Sequence, residues 1–532
     1  MSTPAAEAPV PHPPLPAGRA LAYMAAATVI GLAQGLQQGF VTTSLPQFAG
    51  DLGITTTTGA WLLAVYMIPR AALPVLLIKI RTQFGLRRFA EIGVAAYALV
   101  ALASLWVDDF RSALVLQALA GAAAAPLSTL AFLYMLEPLS PQAKMVLGLP
   151  LTMLVLMTGP SLARVVGPWL IGDGGMAGVH LAGLGLALVS LMLVLILPLR
   201  PMPRQKVIQP LDFLSFALIG TGFGGLIVGF VMGPIYNWFD APWIGVTLAA
   251  AAAALTLAVA VELNRSAPLL DIRWLASPAI LHLTGTLLLF RLILSEQSAG
   301  APRMFQVLGM GPDQLIGLFA VIALAGVMGA LACIAWMRPE RVAAFHLAAL
   351  LLIAFGAFTD ATVTPDWRPA QMIFSQALIG FAGMLFMPPA MMAGLMSALA
   401  KGPQYILSFV IVFISTQSLG GVLGSGLFTT FTTHRQAVHL QDLAVQMTPT
   451  DPATVQALAG RMAALAATSP DAAARRALAA AQLAAQANLT AWTEAYADAY
   501  ALTGWAAVVA ASALVLHLWR DRMAAKLTDK PT

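Results

Sequence analysis

The sequence predicts an all-α polytopic membrane protein of about fourteen transmembrane helices, and three observations predict it. Of 532 residues, 59% are hydrophobic and only 10% charged, against roughly 25% charged in soluble domains. Mean hydropathy is +0.82 over the whole chain, so no single segment accounts for it. Apolar runs of about 20 residues, the length that crosses a bilayer as a helix, recur from Leu21 to Leu518.

Spans are expected at 21–45, 59–79, 89–107, 112–136, 145–171, 179–199, 211–233, 243–263, 278–300, 315–337, 342–361, 370–397, 404–432 and 497–519. Helices are the expected form because lipid offers no partner to an unpaired backbone group. The Pro/Ala-rich stretch before them lacks the basic start and apolar centre of a signal peptide, and residues 1–20 read as a disordered tail. The single cysteine, Cys333, rules out an intramolecular disulfide.

Basic residues orient the chain. With the N-terminus inside, eighteen Lys and Arg fall on the inner side, from Arg19 through Lys79, Arg87 and Arg265 to Lys530. Seven fall outside: Arg111, Arg303, Arg368, Arg435, Arg461, Arg475 and Arg476. The positive-inside rule therefore puts both termini on the cytoplasmic side. The net charge of +5 is a topology signal and not a nucleic-acid footprint. One connection is long. Residues 434–496 are Ala-rich and polar, broken by "TPTDP", and should carry two extramembrane helices, the second running into the last span.

A faint internal repeat marks two halves. "PQFAGDLGI" follows the first span and "PRMFQVLGM" the ninth, with Pro46 and Pro302 each six residues before a Leu-Gly pair. Transporters built from repeated halves would show it at these positions. The chain accordingly divides into a bundle at 21–199, an inserted helix pair at 211–263, a second bundle at 278–519 interrupted by 434–496, and a tail at 520–532.

The residues most open to chemistry are charges inside spans, which cost about 2.5–3.5 kcal/mol each at the bilayer centre. "LLLFRLILSEQS" (287–298) holds Arg291 and Glu296. Five residues apart, they stand about 140° round the helix and roughly 7.5 Å along it, too far for a tidy pair. Glu296 is the one carboxylate expected well inside a span. A carboxyl can change charge where an arginine cannot, so Glu296 is the candidate proton-coupling residue; a structural ion pair or a wet outer mouth is the plainer reading. Arg70 and Arg164 join Arg291 as span cations, a bias that suits an anionic amphiphile, unless they snorkel to an interface. Gln34, Gln37, Gln38 and Thr42 share one helical face and could line a cavity or join helices. Met384 and Met387 flank Pro388–Pro389 in "GMLFMPPAMMAGLM", where adaptable thioethers suit varied substrates, although kinked packing explains them as well. Gly159, Pro160, Gly167 and Pro168 read as close-packing and hinge material.

Other patterns carry nothing. "GTGFGG" sits in a span with no strand before it. His434 and His439 lack a ligand cluster. No nucleotide loop or nucleophile constellation is present, so neither an enzyme nor an ATP-driven pump is expected, and no cofactor.

Several stretches resemble the major facilitator superfamily, in particular its fourteen-helix drug:proton antiporters of the EmrB/QacA type. "VTTSLPQFAGDLG" is similar to the end of that family's first helix and "WLLAVYM" to the start of its second. "QFGLRRF" resembles its loop motif, "QALAGAAAAPLS" keeps Gln117 and Pro126 of its fourth-helix motif, and "VVGPWLIG" resembles its antiporter motif. "APLLDIRWLASPA", "MFQVLGMGPDQLIGL" and "SLGGVLGSGLF" follow in family order. The resemblance implies a major facilitator fold, two six-helix bundles with an inserted pair, that exports amphipathic small molecules by alternating access. It implies a periplasmic adaptor and an outer-membrane channel as partners. The chain departs from the family at Gln37 and Thr82, where acids are usual, and at Leu114, where an arginine is usual, with Arg111 a turn earlier. The family's coupling chemistry therefore does not carry over intact. A facilitator without proton coupling, or a scaffold or sensor that kept the fold, are the rival readings.

Overall fold

A computed structural model describes residues 14–172, 175–201, 204–402 and 405–528. Fourteen of its helices are long and apolar enough to cross a membrane. They are α1 (Ala17–Thr43), α2 (Thr56–Phe84), α3 (Leu86–Trp106), α4 (Phe110–Leu136), α5 (Pro141–Leu170), α6 (Ala177–Ile196), α7 (Pro210–Met232) and α8 (Pro242–Leu263). The second half holds α9 (Pro278–Val307), α10 (Pro312–Trp336), α11 (Pro339–Asp360), α12 (Pro369–Lys401), α13 (Tyr405–Gln446) and α14 (Ala472–Thr528). No β-strand occurs among the described residues. Most of the tail expected at 1–20 lies outside them; α1 already starts at Ala17. At the other end α14 runs on through Arg520 and Arg522 to Thr528, because "HLWRDRMAAKLT" is rich in strong helix formers, and residues 529–532 of the expected tail lie outside the described part.

Helix ends follow local chemistry. Thr55 caps α2 by accepting the Thr58 N–H at 3.1 Å, and Asp109 caps α4 by accepting the N–H groups of Arg111 and Ser112. Proline stands in the first turn of α5, α7, α8, α9, α10, α11 and α12, where its missing N–H costs nothing.

The halves are built alike. In the first, α1 packs on α4, α5 and α6, α2 on α4, and α3 on α4 and α6. In the second, α9 packs on α12, α13 and α14, α10 on α12, and α11 on α12 and α14. Each contact has its counterpart eight helices later. The seams between halves match too, α5 against α10 and α13 against α2. The faint repeat proves geometric. Gly53 and Gly309 both take positive φ, +61° and +77°. Ile54 N–H bonds the Ala49 carbonyl at 2.9 Å, and Met310 N–H bonds the Phe305 carbonyl at 2.9 Å. This is the same six-to-one helix-ending turn, which glycine adopts without strain.

The inserted pair α7–α8 is wedged against both halves, with α7 on α2 and α13. A buried charge knot ties it down. Asp212 of α7 accepts from Lys79 Nζ of α2 at 2.6 Å and from Arg265 just past α8. Arg265 also meets Glu262 at 2.8 Å. Glu262 accepts in addition from Ser215 Oγ and from the backbone N–H groups of Leu269 and Leu270.

Residues 434–496 are more helical than expected. α13 continues past His434 to Gln446, since "THRQAVHLQDLAVQ" contains neither Gly nor Pro. Two helical stretches follow, Pro452–Ala464 and the first part of α14. Arg435 of α13 meets Asp498 of α14 at 2.6 Å, which pairs the two rods where they leave the bundle.

Removing one partner of a buried ion pair strands the other, at about 3–5 kcal/mol. Asp212→Ala should therefore lower the melting temperature of the purified protein in detergent, because Lys79 is then left with no carboxylate partner among the described residues. An unchanged melting temperature would mean that the knot does not hold the inserted pair.

Candidate functional site

The site grows from the ninth helix. α9 is α-helical over Pro278–Ile293, then opens into a π-turn over Glu296–Gly300 before Ala301–Val307. The local sequence explains the break. Pro302 has no N–H to give the Ser298 carbonyl four residues earlier, and Gly300 allows close approach: a Cβ there would stand 2.9 Å from the Tyr500 ring. π-turns concentrate at functional sites because they re-aim side chains. The freed Ser298 carbonyl accepts from Arg164 Nη2 of α5 at 3.2 Å. The same guanidinium lies 4.5 Å from the centre of the Phe319 ring of α10, a cation–π contact. Arg164 thus joins the first half to the second.

The π-turn aims Glu296 inward. Its side chain has 0% exposure, so it is closed off from solvent in this conformation and does not lie at a wet mouth. One amide holds it: Gln376 Nε2 of α12 donates to Glu296 Oε1 at 2.8 Å and to Asp360 Oδ2, at the end of α11, at 2.7 Å. Ser375 Oγ donates to Asp360 Oδ1. Gln376 is itself fixed, its backbone carbonyl accepting from Gln297 Nε2 at 3.0 Å. Asp360 also has 0% exposure. Tyr496 and Tyr500 of α14, Phe428 of α13 and Phe305 form an apolar plug over the pair.

One correction follows. Glu296 is not alone as a deeply buried carboxylate at this site, since Asp360, the last residue of α11, also has 0% exposure and shares the Gln376 amide with it. The sequence places Asp360 at the very end of a span, where an acid normally reaches water; only the return of the chain through Gln376 turns it inward. Nor do Glu296 and Arg291 serve each other, in keeping with their spacing.

Arg291 instead packs against α13, where Gly420 and Gly421 make room: a Cβ on Gly421 would stand 2.8 Å from Arg291 Nη2. Its Nε has no partner. Arg70 of α2 is buried, donates to Tyr66 Oη at 3.3 Å, and leaves its own Nε unpartnered. Among the described residues, no carboxylate pairs with Arg70, Arg164 or Arg291. Gln417 of α13 is buried with both amide atoms unpartnered, while Ser415 nearby donates to the Ala71 carbonyl of α2 at 3.4 Å. Sequence reading passed over Gln417; the signal was the polar trio Ser415-Thr416-Gln417 in an apolar run.

The remaining expected site residues do not converge. Gln34 joins helices, taking the Ser128 hydroxyl of α4 at 3.1 Å and donating to the Gly31 carbonyl at 3.1 Å. Gln37 turns toward Gly183 of α6. Gln38 is half-buried, and Thr42 is exposed and bonds the carbonyls of Gln38 and Gly39. Met384 and Met387 are buried in the core of the second bundle, and α12 runs unbroken through Pro388 and Pro389. Gly159 meets Gly35 backbone to backbone, Gly167 faces Phe40, and α5 continues through Pro160 and Pro168.

Comparison with known proteins bears on the fold. No protein-family model matches the chain. It is 22% identical over 457 residues to the multidrug export protein EmrB of Haemophilus influenzae, covering 83% of this chain and 86% of that one. It is 24% identical over 458 residues to the fatty acid resistance protein FarB of Neisseria gonorrhoeae, covering 82% and 86%. Among solved structures, the major facilitator superfamily proton:xylose symporter XylE superposes with a TM-score of 0.54 at 14% identity, covering 79% of this chain and 90% of that one. The fold is the major facilitator fold, and the relatives are membrane transporters and not enzymes.

A Cβ on Gly159 would fall 2.5 Å from the Gly35 Cα, with no flexible neighbour to yield. Gly159→Leu should split α1 from α5 and remove the monodisperse peak in size-exclusion chromatography. A normal peak would mean that this contact is dispensable.

Proposed function

Because this chain is a divergent relative of the EmrB-type exporters with the major facilitator fold, we propose that it is a proton-driven exporter of amphipathic anions. Neutral amphiphiles of similar shape are secondary cargo. The two halves rock about the α5–α10 and α2–α13 seams, so that the space between them faces each side in turn. The basic ends of the helices lie in the cytoplasm, and the chain sits in the inner membrane. The rods of 434–496 project on the far side. They offer a seat for a periplasmic adaptor that passes cargo to an outer-membrane channel.

One observation carries the substrate class: three arginines set in the spans have no acid partner, and two of them, with Gln417, leave donors unused along α2, α9 and α13. Exporters of cations need buried acids near the cargo, whereas these positions supply only donors and positive charge. An acyl or aromatic acid would satisfy them with its carboxylate and fill the apolar walls with its tail. The name of the FarB relative, a fatty acid resistance protein, fits that cargo. Glu296 supplies the proton side, since a carboxyl that alternates between burial and water can load on one face and unload on the other.

The test is uptake of an amphipathic carboxylate into inverted membrane vesicles. An imposed pH gradient, acid inside, should accelerate uptake, and Glu296→Gln should abolish that acceleration. Losing one charge-assisted contact removes about 1.5–3 kcal/mol. Arg70→Gln or Arg291→Gln should therefore raise the KM for the anion roughly tenfold to a hundredfold and leave uptake of a neutral analogue within about threefold. Uptake indifferent to the gradient would favour an uncoupled facilitator. No uptake of any amphiphile by the folded protein would favour the scaffold or sensor reading.

A further inference from the structure

We propose that Glu296 and Asp360 form one proton-binding unit, in which Glu296 carries the proton on Oε2 and donates it to Asp360. This rests on the reading of the chain as a proton-driven exporter but is argued from separate geometry.

The argument is a count of donors. An ionised carboxylate accepts at both oxygens; a protonated one has a hydrogen to give. Asp360 has a donor at each oxygen, Ser375 Oγ on Oδ1 and Gln376 Nε2 on Oδ2, which is what an ionised group requires. Glu296 has a donor only at Oε1, from the other hydrogen of the same amide. Its Oε2 is buried and no protein donor reaches it. A buried charged oxygen left bare is costly, whereas a hydroxyl there can turn to Asp360, whose Oδ2 shares the Gln376 amide nitrogen with Glu296 Oε1. A proton on Oε2 satisfies every polar atom of the pair at once.

Among the described residues, no other donor reaches Oε2. From α14, Tyr500 sends its hydroxyl to Met304 Sδ at 3.5 Å. From α13, Phe428 contributes only a ring. From α5, Arg164 is spent on the Ser298 carbonyl and the Phe319 ring. Beyond Pro302, Arg303 donates to Thr429 at 2.7 Å. In the closed state the pair holds one proton and one negative charge. When α9 moves away from α11 and α12, Oε2 loses its acceptor and meets water. The proton then leaves as hydronium, and the pair is left with two charges, each solvated. Re-protonation from the other side restores the closed pair. No covalent bond between heavy atoms changes. The order explains why Asp360 is kept in the membrane: its charge makes the closed state require the proton.

Difference infrared spectroscopy of the purified protein at neutral pH tests this without transport. A protonated-carboxyl C=O band should be present and shift in heavy water. Glu296→Gln should delete it, and Asp360→Asn should keep it but move its frequency, since the acceptor has changed. In proteoliposomes, Asp360→Asn should reduce gradient-driven uptake about tenfold or more while anion exchange across equal pH persists, and Asp360→Glu should restore part of the driven uptake. Absence of the band in the wild type, or its survival in Glu296→Gln, overturns the proposal. So does an equal loss of driven uptake and exchange in Asp360→Asn, which marks a purely structural role. If the band behaves as expected but a gradient drives nothing in the wild type, the export reading fails and the proton pair stands.

Discussion

The bridge from Gln376 to two buried carboxyl groups is the contact on which the rest depends. Lipid gives no help to a bare charge, so an acid in the bundle must be hydrogen-bonded, paired or neutral. Here no cation is supplied. One amide from α12 reaches α9 and α11 together, and the apolar plug of Tyr496, Tyr500 and Phe428 closes over them. That choice makes the joint sensitive to a single proton. A lysine in the same place would have given a permanent structural pair.

The site is also tied to the seam between halves through three residues of backbone, Glu296 to Ser298. Glu296 opens the π-turn that contains Ser298, and Ser298 receives Arg164 from the other half. A shift of α9 that uncovers Glu296 must disturb this contact, and separation of the halves must disturb the turn. The symmetric counterpart of this seam, α2 against α13, joins the helices that carry Arg70 and Gln417, and Arg291 of α9 packs on the same α13.

Much of this was legible in the sequence and some was not, for physical reasons. Hydropathy finds spans because crossing lipid is a demand on each segment by itself, and all fourteen are present. The Leu-Gly repeat was visible because a left-handed turn needs glycine wherever it occurs, so Gly53 and Gly309 kept their spacing. Glu296 stood out against apolar neighbours on both sides. Asp360 did not, because its burial arises from the α11–α12 hairpin folding back, a tertiary event. Gln34 lay on a correctly read helical face, but nothing local shows that Ser128 waits there. The long connection reads as polar and helical, yet the pairing of its helices, Arg435 of α13 on Asp498 of α14, is a tertiary contact that composition does not report.

The central claim is that outward movement of an anion is exchanged for inward movement of a proton through Glu296. The most direct measurement is the internal pH of sealed proteoliposomes loaded with a dye and given a gradient of a permanently anionic amphiphile, such as an alkyl sulfonate, which carries no proton of its own. The account predicts that downhill movement of the sulfonate moves protons the opposite way in wild-type vesicles and fails to do so with Glu296→Gln. Sulfonate flux of wild-type size with no change in internal pH would contradict it.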